Sequence, residues 1–380
     1  MAATGIAPIP VTLETPLRSG ATSTTALLAA MLHAHGQVSD LIFSPGRLPQ
    51  VELHGQLVGV QPSGLQPLTA DDTRRIAADL IDNNKQAVNL LREQGFCDVS
   101  YGLSGVARFR VNVFIQRGSC AIVMRVIPTE IPNISSLGLP SQLSAVAELR
   151  DGIVLVTGPR ASGKSSTLAA LLNGINEQRS CHIITVEDPI EFLHNHKRAT
   201  IHQRELHSDT PSFALGLNAA LRQAPQVIMV SDLRDRRTME IALEAAETGH
   251  LVLSSLNAVD AAKSVDRVLG MFSSGEHASV RSRLAKTLRY VVAQRLLPRL
   301  NGNGRVAAVE LLRVTSRVRA AIENESQPNA ALTQAMEQGT AEGMQTLDCA
   351  LEKLVRAGTV APQSALADAA DSRCFAAGAG

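Results

Sequence analysis

The segment Gly158-Pro159-Arg160-Ala161-Ser162-Gly163-Lys164-Ser165 limits what this chain can be more than any other, because its spacing fits GxxxxGK[ST]. The flanks sharpen the constraint. Gly152–Thr157 is a short apolar run of strand character, and Lys164–Asn176 reads as a helix. A strand, a glycine turn and a helix in that order gather backbone N–H groups and the positive end of a helix at one point, where a phosphate is held. Lys164 is then placed to reach the β- and γ-phosphates, and the Ser165 hydroxyl to ligate Mg²⁺. Gly158, Pro159, Ser162, Gly163 and Ser166 complete the candidate nucleotide cradle. A glycine turn that merely happens to carry a lysine does not account for both flanks.

Three further apolar runs, His182–Val186, Val227–Val230 and Leu251–Leu256, alternate with helical segments. Short continuous apolar strands of this kind belong to a parallel sheet covered on both faces, so the fold class is α/β. Val230 is followed by Ser231-Asp232, an acid at the carboxyl end of a buried strand, where it can hold a Mg²⁺ water or activate the attacking water. Glu187-Asp188-Pro189 ends another run and faces the same edge; taken alone it is equally an acidic turn. His250 and Asn257 flank the last run, and spacing alone does not lift His250 above a structural histidine. From about Ala278 to about Arg373 the chain reads as mostly helical.

The length of 380 residues calls for more than one core. Residues 1–25, rich in Ala, Thr and Pro, are expected to be a flexible tail. Residues 26–130 read as a mixed α+β domain. It has a helix at Thr25–His35, strands at Asp40–Phe43 and Gln50–Val60, and a helix running from the cap at Thr69 to about Gln94. A strand meander follows through Asp98–Tyr101, Val106–Gln116 and Ala121–Val126. Residues 131–148, with their prolines, are the expected linker, and 149–373 the nucleotide domain. Arg108, Arg110, Arg117 and Arg125 cluster in the first domain. Such a face is usually solvated, but arginine also suits a phosphate presented by a neighbouring subunit.

Composition excludes some classes. Lys plus Arg is 36 and Asp plus Glu 35, a net charge of +1, so no bulk field attracts a polyanion and direct nucleic-acid binding is not expected. No apolar run approaches the roughly 18–20 residues of a membrane span and no signal peptide opens the chain, so a cytoplasmic protein is expected. Cys97, Cys120, Cys181, Cys349 and Cys374 are scattered without a CxxC pair, against a disulfide framework or zinc site.

Several segments together carry a resemblance. They are Ala107–Asn112 (ARFRVN), the phosphate loop, Thr185–Phe192 (TVEDPIEF), Gln203-Arg204-Glu205, Ala219–Arg222 (AALR), Thr248–Val252 (TGHLV), Gln294–Arg299 (QRLLPR), Gly343–Asp348 (GMQTLD) and Leu354–Gly358 (LVRAG). In this order, from about Ser39 to Asp371, they resemble the type IV pilus retraction (twitching motility) ATPases of the secretion ATPase superfamily. The missing CxxC pairs separate the chain from the zinc-bearing pilus-assembly and type II secretion relatives. The resemblance implies a RecA-like P-loop ATPase core with an N-terminal PAS-like domain and a helical C-terminal region. It further implies a hexamer holding ATP and Mg²⁺ between subunits, peripheral to the inner membrane and working on a pilus platform protein. On that basis Asp232 stands at the catalytic acid and Glu187 in the acidic box near Mg²⁺. His250 would be the first histidine of the histidine box, and the first-domain arginines would reach a neighbour's nucleotide.

The chain departs from the family pattern in its catalytic boxes. Ser231-Asp232 replaces Gly-Glu, Asn257 replaces the second histidine, Arg160-Ala161 replaces Thr-Gly in the phosphate loop, and Glu323 stands where a basic residue is usual. Two readings follow: a retraction-class motor with slow hydrolysis, or a catalytically degenerate regulatory or structural subunit that co-assembles with an active paralogue. An ATPase for DNA uptake or secretion built on the same ring is a third; the charge balance speaks only against direct nucleic-acid contact.

Overall fold

The computed structural model describes residues 9–11, 23–34, 38–53, 56–62, 66–103, 106–127, 130–302, 304–324 and 328–370. The chain divides into two compact units, Met1–Thr129 and Glu130–Gly380.

The first unit holds strands β1 (Ile9–Val11), β2 (Asp40–Phe43), β3 (Gln50–Leu53), β4 (Gln56–Pro62), β5 (Phe96–Leu103), β6 (Ala107–Gln116) and β7 (Ser119–Ile127), with helices α1 (Thr24–His33), α2 (Ala70–Ile81) and α3 (Lys85–Gln94). The strands form one sheet in the order β1-β4-β3-β2-β7-β6-β5. Alternation along β6 sends Phe109, Val111 and Val113 into a core shared with Leu28, Met31, Phe43 and Ile76. Arg108 and Arg110 lie on the opposite face.

Three expectations need correction here. Gln50–Val60 is not one strand but a hairpin, β3 pairing antiparallel with β4. The helix expected through to Gln94 is two helices, because Asp82-Asn83-Asn84 are turn formers: Asp82 takes φ +47° and the Asn84 side chain caps α3 by accepting from the Ala87 N–H. Within the expected tail, Ile9–Val11 joins the sheet parallel to β4, and α1 begins at Thr24. The rest of that segment up to residue 22 lies outside the described residues, as do positions 371–373 at the far end.

The second unit builds on β8 (Gly152–Thr157), β9 (His182–Glu187), β10 (Thr200–Glu205), β11 (Val227–Val230), β12 (Leu251–Leu256), β13 (Leu288–Pro298) and β14 (Arg305–Arg313). Its helices are α4 (Lys164–Gln178), α5 (Phe213–Ala220), α6 (Arg236–Glu247), α7 (Ala261–Leu269), α8 (His277–Thr287), α9 (Ser316–Glu323), α10 (Pro328–Gln338), α11 (Leu347–Arg356) and α12 (Pro362–Asp368). The sheet order is β10-β9-β11-β12-β8-β13-β14, parallel except for the final antiparallel pair. Every residue of β8, β11 and β12 is buried. Alternate side chains serve opposite layers: Ile153 and Leu155 pack with α6 and α7, Val154 and Val156 with α4.

Two expectations need correction in this unit. The C-terminal stretch, expected to be mostly helical, also holds two long strands: β13 and β14 extend the sheet, with the β-branched Val291-Val292 seated against β8. The expected linker is built into the core. Its end forms a 3₁₀ turn, Ser141–Glu148, whose Leu143 and Val146 are fully buried in the same cluster as Leu171 and Leu172 of α4.

Glu310 on β14 fastens two helices to this sheet. Its buried carboxylate accepts from the N–H of Ala261, the first residue of α7, at 2.6 Å, and from the N–H of Leu347, the first of α11, at 3.4 Å. Burial pushes this carboxyl from 4.5 up to about 7, against the pull of those N–H groups and Arg295. An acid whose folded pKa is raised stabilises the fold below its unfolded pKa and loses that contribution as pH rises through the folded value. Thermal midpoints of the wild type, measured against Glu310→Gln, should therefore fall relative to the variant between pH 4.5 and about 7. A constant difference across that range would count against the assignment.

Candidate functional site

The carboxyl ends of β8, β9, β11 and β12 lie along one edge of the second sheet, Thr157 beside Leu256 and Val230 beside both Val186 and Ser254. The loop 158–163 leaves β8 at this edge and delivers the chain into α4. Three of its residues have positive φ: Gly158 at 147°, Ala161 at 62° and Gly163 at 88°. A Cβ on Gly158 would lie 2.5 Å from the Gln294 carbonyl oxygen, so only glycine fits there. No side chain caps the start of α4, whereas Ser212, Asp235 and Asp260 cap α5, α6 and α7. The leading N–H groups of α4 therefore have no side-chain cap and can meet an anion.

Lys164 folds back over the loop, its Nζ donating to the carbonyls of Gly158 and Pro159 at 2.9 Å each. Desolvation lowers its pKa, and the negative charges of Asp232 and Glu191 act against that. Ser165 Oγ donates to Glu191 Oε1 at 2.9 Å.

The two acids named from sequence occupy different environments. Glu187 is buried, its carboxylate accepting from Thr185 Oγ1 at 2.6 Å and Gln203 Nε2 at 2.8 Å, and burial pushes it up to about 7. Asp232 accepts from Arg234 Nε at 2.9 Å, while Arg234 Nη1 donates to Asp188 Oδ2 at 3.2 Å. The guanidinium thereby bridges two acids of the site and lies 5.6 Å from the Phe213 ring centre. Glu191 is the residue that sequence reasoning missed. It sat inside the TVEDPIEF segment, but only the fold shows that the chain turns after Pro189 and brings Glu191, not Glu187, to the serine hydroxyl.

Gln203 ties this region together. Its Nε2 donates to Glu187 and to the Phe192 carbonyl, and its Oε1 accepts the His194 N–H. A cavity of about 20 Å³, room for about one water, lies among Ser165, Glu187, Glu191, His194 and Ser231. Burial pushes His194 down to about 4, so its ring is neutral there.

The expected histidine box does not assemble around this site. His250 precedes β12 and its N–H and ring belong to the opposite edge, with Nδ1 2.9 Å from the Ala245 carbonyl. Six strand residues at about 3.3 Å each separate it from the nucleotide edge, roughly 20 Å. Asn257, at the other end of β12, is exposed on that edge.

The four arginines belong to the first unit. Arg110 pairs directly across from Arg125, which donates to Asp40 at 2.9 Å, and Arg108 shares their face. Arg117 stands apart in the β6–β7 turn, where it and Gly118 both take positive φ, the geometry of a two-residue hairpin turn.

Among the described residues, no group of three or more His, Cys, Asp or Glu side chains could hold a metal by itself. Ser165 Oγ and the Glu191 carboxylate, 2.9 Å apart, are hard oxygen donors that could hold a Mg²⁺ whose shell phosphate and water complete. Among the same residues, no helix is long and apolar enough to cross a membrane.

Comparison with known proteins gives a consistent picture. Residues 99–361 match the family described as Type II/IV secretion system protein. The chain is 43% identical over 319 residues to a twitching motility protein of Neisseria gonorrhoeae, covering 83% of each. It is 40% identical to the type IV pilus retraction ATPase PilT of Pseudomonas aeruginosa, covering 90% of this chain and 96% of the relative. The type IV pilus ATPase PilU of the same organism is 36% identical, covering 90% and 87%. The crystal structure of the pilus retraction motor PilT with bound ADP superimposes with a TM-score of 0.81 at 37% identity, over 92% of this chain and 97% of that one.

The alanine in the phosphate loop has a measurable consequence. Ala161 is held at φ 62°, where a Cβ costs about 1–2 kcal/mol, partly offset because alanine restricts the unfolded chain. Ala161→Gly should therefore stabilise the protein by about 0.5–1 kcal/mol in denaturant unfolding. A destabilised variant would show that the loop does not carry this strain.

Proposed function

Because this chain belongs to the Type II/IV secretion system protein family, we infer that it is an ATP-driven motor subunit of the pilus-retraction class, working as a hexamer. The observation that carries the reading is the uncapped, glycine-hinged loop with Lys164 and Ser165 at its end, set beside the acids of β9 and β11. Nucleotide phosphates would take the place of the Gly158 and Pro159 carbonyls on Lys164. Ser165 and Glu191 would hold Mg²⁺, which when bound neutralises charge on the phosphoryl oxygens. Glu187, near neutrality and buried, can keep or release a proton beside that site.

Asp232 is the candidate for orienting the attacking water. Its carboxylate is one methylene shorter than the glutamate usual in the family, and it is engaged by Arg234. A displacement of about 1 Å at such a group costs roughly a hundredfold in rate, so hydrolysis is slow in this reading. Arginines 108, 110, 117 and 125 are the candidates to reach a neighbouring subunit's nucleotide, and Arg125 would have to exchange its bond to Asp40 to do so. His250 has no role at its own subunit's nucleotide. The partners in this proposal are further copies or a paralogue in the ring, and a platform protein at the inner membrane, with the ring itself cytoplasmic.

The Asp232–Arg234–Asp188 bridge and the neutral Asn257 also favour a second reading, a nucleotide-binding subunit that supports an active paralogue. Substitution separates the two. Lys164→Ala should abolish Mg-ATP binding and hydrolysis in a filter-binding and phosphate-release assay; unchanged activity would remove the site from consideration. Asp232→Glu should raise turnover about ten- to hundredfold if the site is assembled but short of reach. ATP bound without measurable turnover in both forms selects the supporting subunit.

A further inference from the structure

We propose that Gln294, on β13, is a positioning residue that holds the phosphate loop in its nucleotide-ready shape, and that it acts through both ends of its carboxamide. The inference rests on the reading of residues 158–165 as a nucleotide loop. Gln294 is 2% exposed, deep beside the loop. Its Nε2 donates to the Ser162 carbonyl at 2.5 Å, and its Oε1 accepts from Thr167 Oγ1 at 2.9 Å. One side chain thus joins the loop to the first turn of the helix that follows it.

The bond to Ser162 fixes more than one atom. A peptide unit is planar and trans, so the carbonyl of Ser162 and the N–H of Gly163 point in opposite directions. Pinning the carbonyl onto Gln294 aims the Gly163 N–H away from β13, as a loop that closes N–H groups around phosphate requires. The same residue also dictates the loop's glycines. A Cβ at Gly158 would meet the Gln294 backbone oxygen at 2.5 Å, and one at Gly163 would meet Gln294 Nε2 at 2.9 Å. Both glycines therefore answer to β13 as well as to the nucleotide.

Amide chemistry is what separates positioning from filling. A hydrocarbon of similar size keeps the packing but leaves the Ser162 carbonyl and the Thr167 hydroxyl without this partner. An ionised carboxylate accepts from Thr167 but cannot donate to Ser162, and a protonated one can do both.

The test is Mg-ATP affinity by calorimetry for the wild type, Gln294→Leu, Gln294→Glu and Thr167→Val, with thermal melts run alongside. Gln294→Leu should weaken binding about tenfold, the effect of stranding a buried hydrogen-bonding group, and Thr167→Val should weaken it less. A carboxyl as deeply buried as the Gln294 side chain is raised above the ordinary glutamate range, so Gln294→Glu should bind poorly at about pH 8 and approach the wild type at about pH 5.5, as the carboxyl regains its donor. That recovery, taken as a ratio to the wild type at each pH, is not expected of a residue that only fills space. Should Gln294→Leu fail to fold, the pH series on Gln294→Glu decides alone. Wild-type affinity in the folded variants, or a Gln294→Glu ratio flat with pH, overturns the proposal. If the wild type binds no Mg-ATP at all, the nucleotide reading itself fails.

Discussion

The second unit depends on one arrangement: a fully buried central strand that ends in a glycine loop and turns at once into a helix. β8 can be buried on both faces because β12 and β13 satisfy its backbone on either side. That burial fixes where the loop starts, and the docking of Leu168, Leu171 and Leu172 fixes where α4 goes. Between these two anchors the loop has little freedom. Its three left-handed residues, its folded-back lysine and its contacts with β13 follow from making the turn in that space.

The charged and polar groups of the site are paired with one another. Lys164 sits on loop carbonyls, Ser165 on Glu191, and Asp232 on Arg234. Each group has a partner, so a nucleotide bound as proposed would exchange these partners rather than fill an open field. The buried Glu187 is set apart by its surroundings, because burial pushes its carboxyl up to about 7. The neighbouring fixtures, Gln203 on the acids and Glu310 on α7 and α11, use single side chains to tie distant segments to the same sheet.

Much of this was legible in the sequence, for identifiable reasons. Buried parallel strands announce themselves as unbroken apolar runs, so β8, β9, β11 and β12 were found from composition and length alone. The phosphate loop was legible because its chemistry demands fixed spacing. The failures share a different cause. β13 followed a helix without a turn signal, and its run reads equally as the side of a helix; only its place beside β8 decides. Glu191 and Gln294 lay within segments already noticed, yet their roles depend on where a loop folds back and which strand is neighbour, which spacing does not encode. His250 was misplaced for a related reason, since a motif that spans a strand puts its two ends on opposite edges of the sheet. Asp82 to Asn84 could have been read as a break, because three adjacent turn formers seldom continue a helix.

As the proposed ring motor, this chain would have its nucleotide site completed by a neighbour. ATP turnover per chain, recorded together with oligomeric mass by light scattering across a dilution series, tests it most directly. Turnover should be low throughout and rise with the hexamer fraction, vanishing in the monomer. Equal turnover per chain in monomer and hexamer would contradict it.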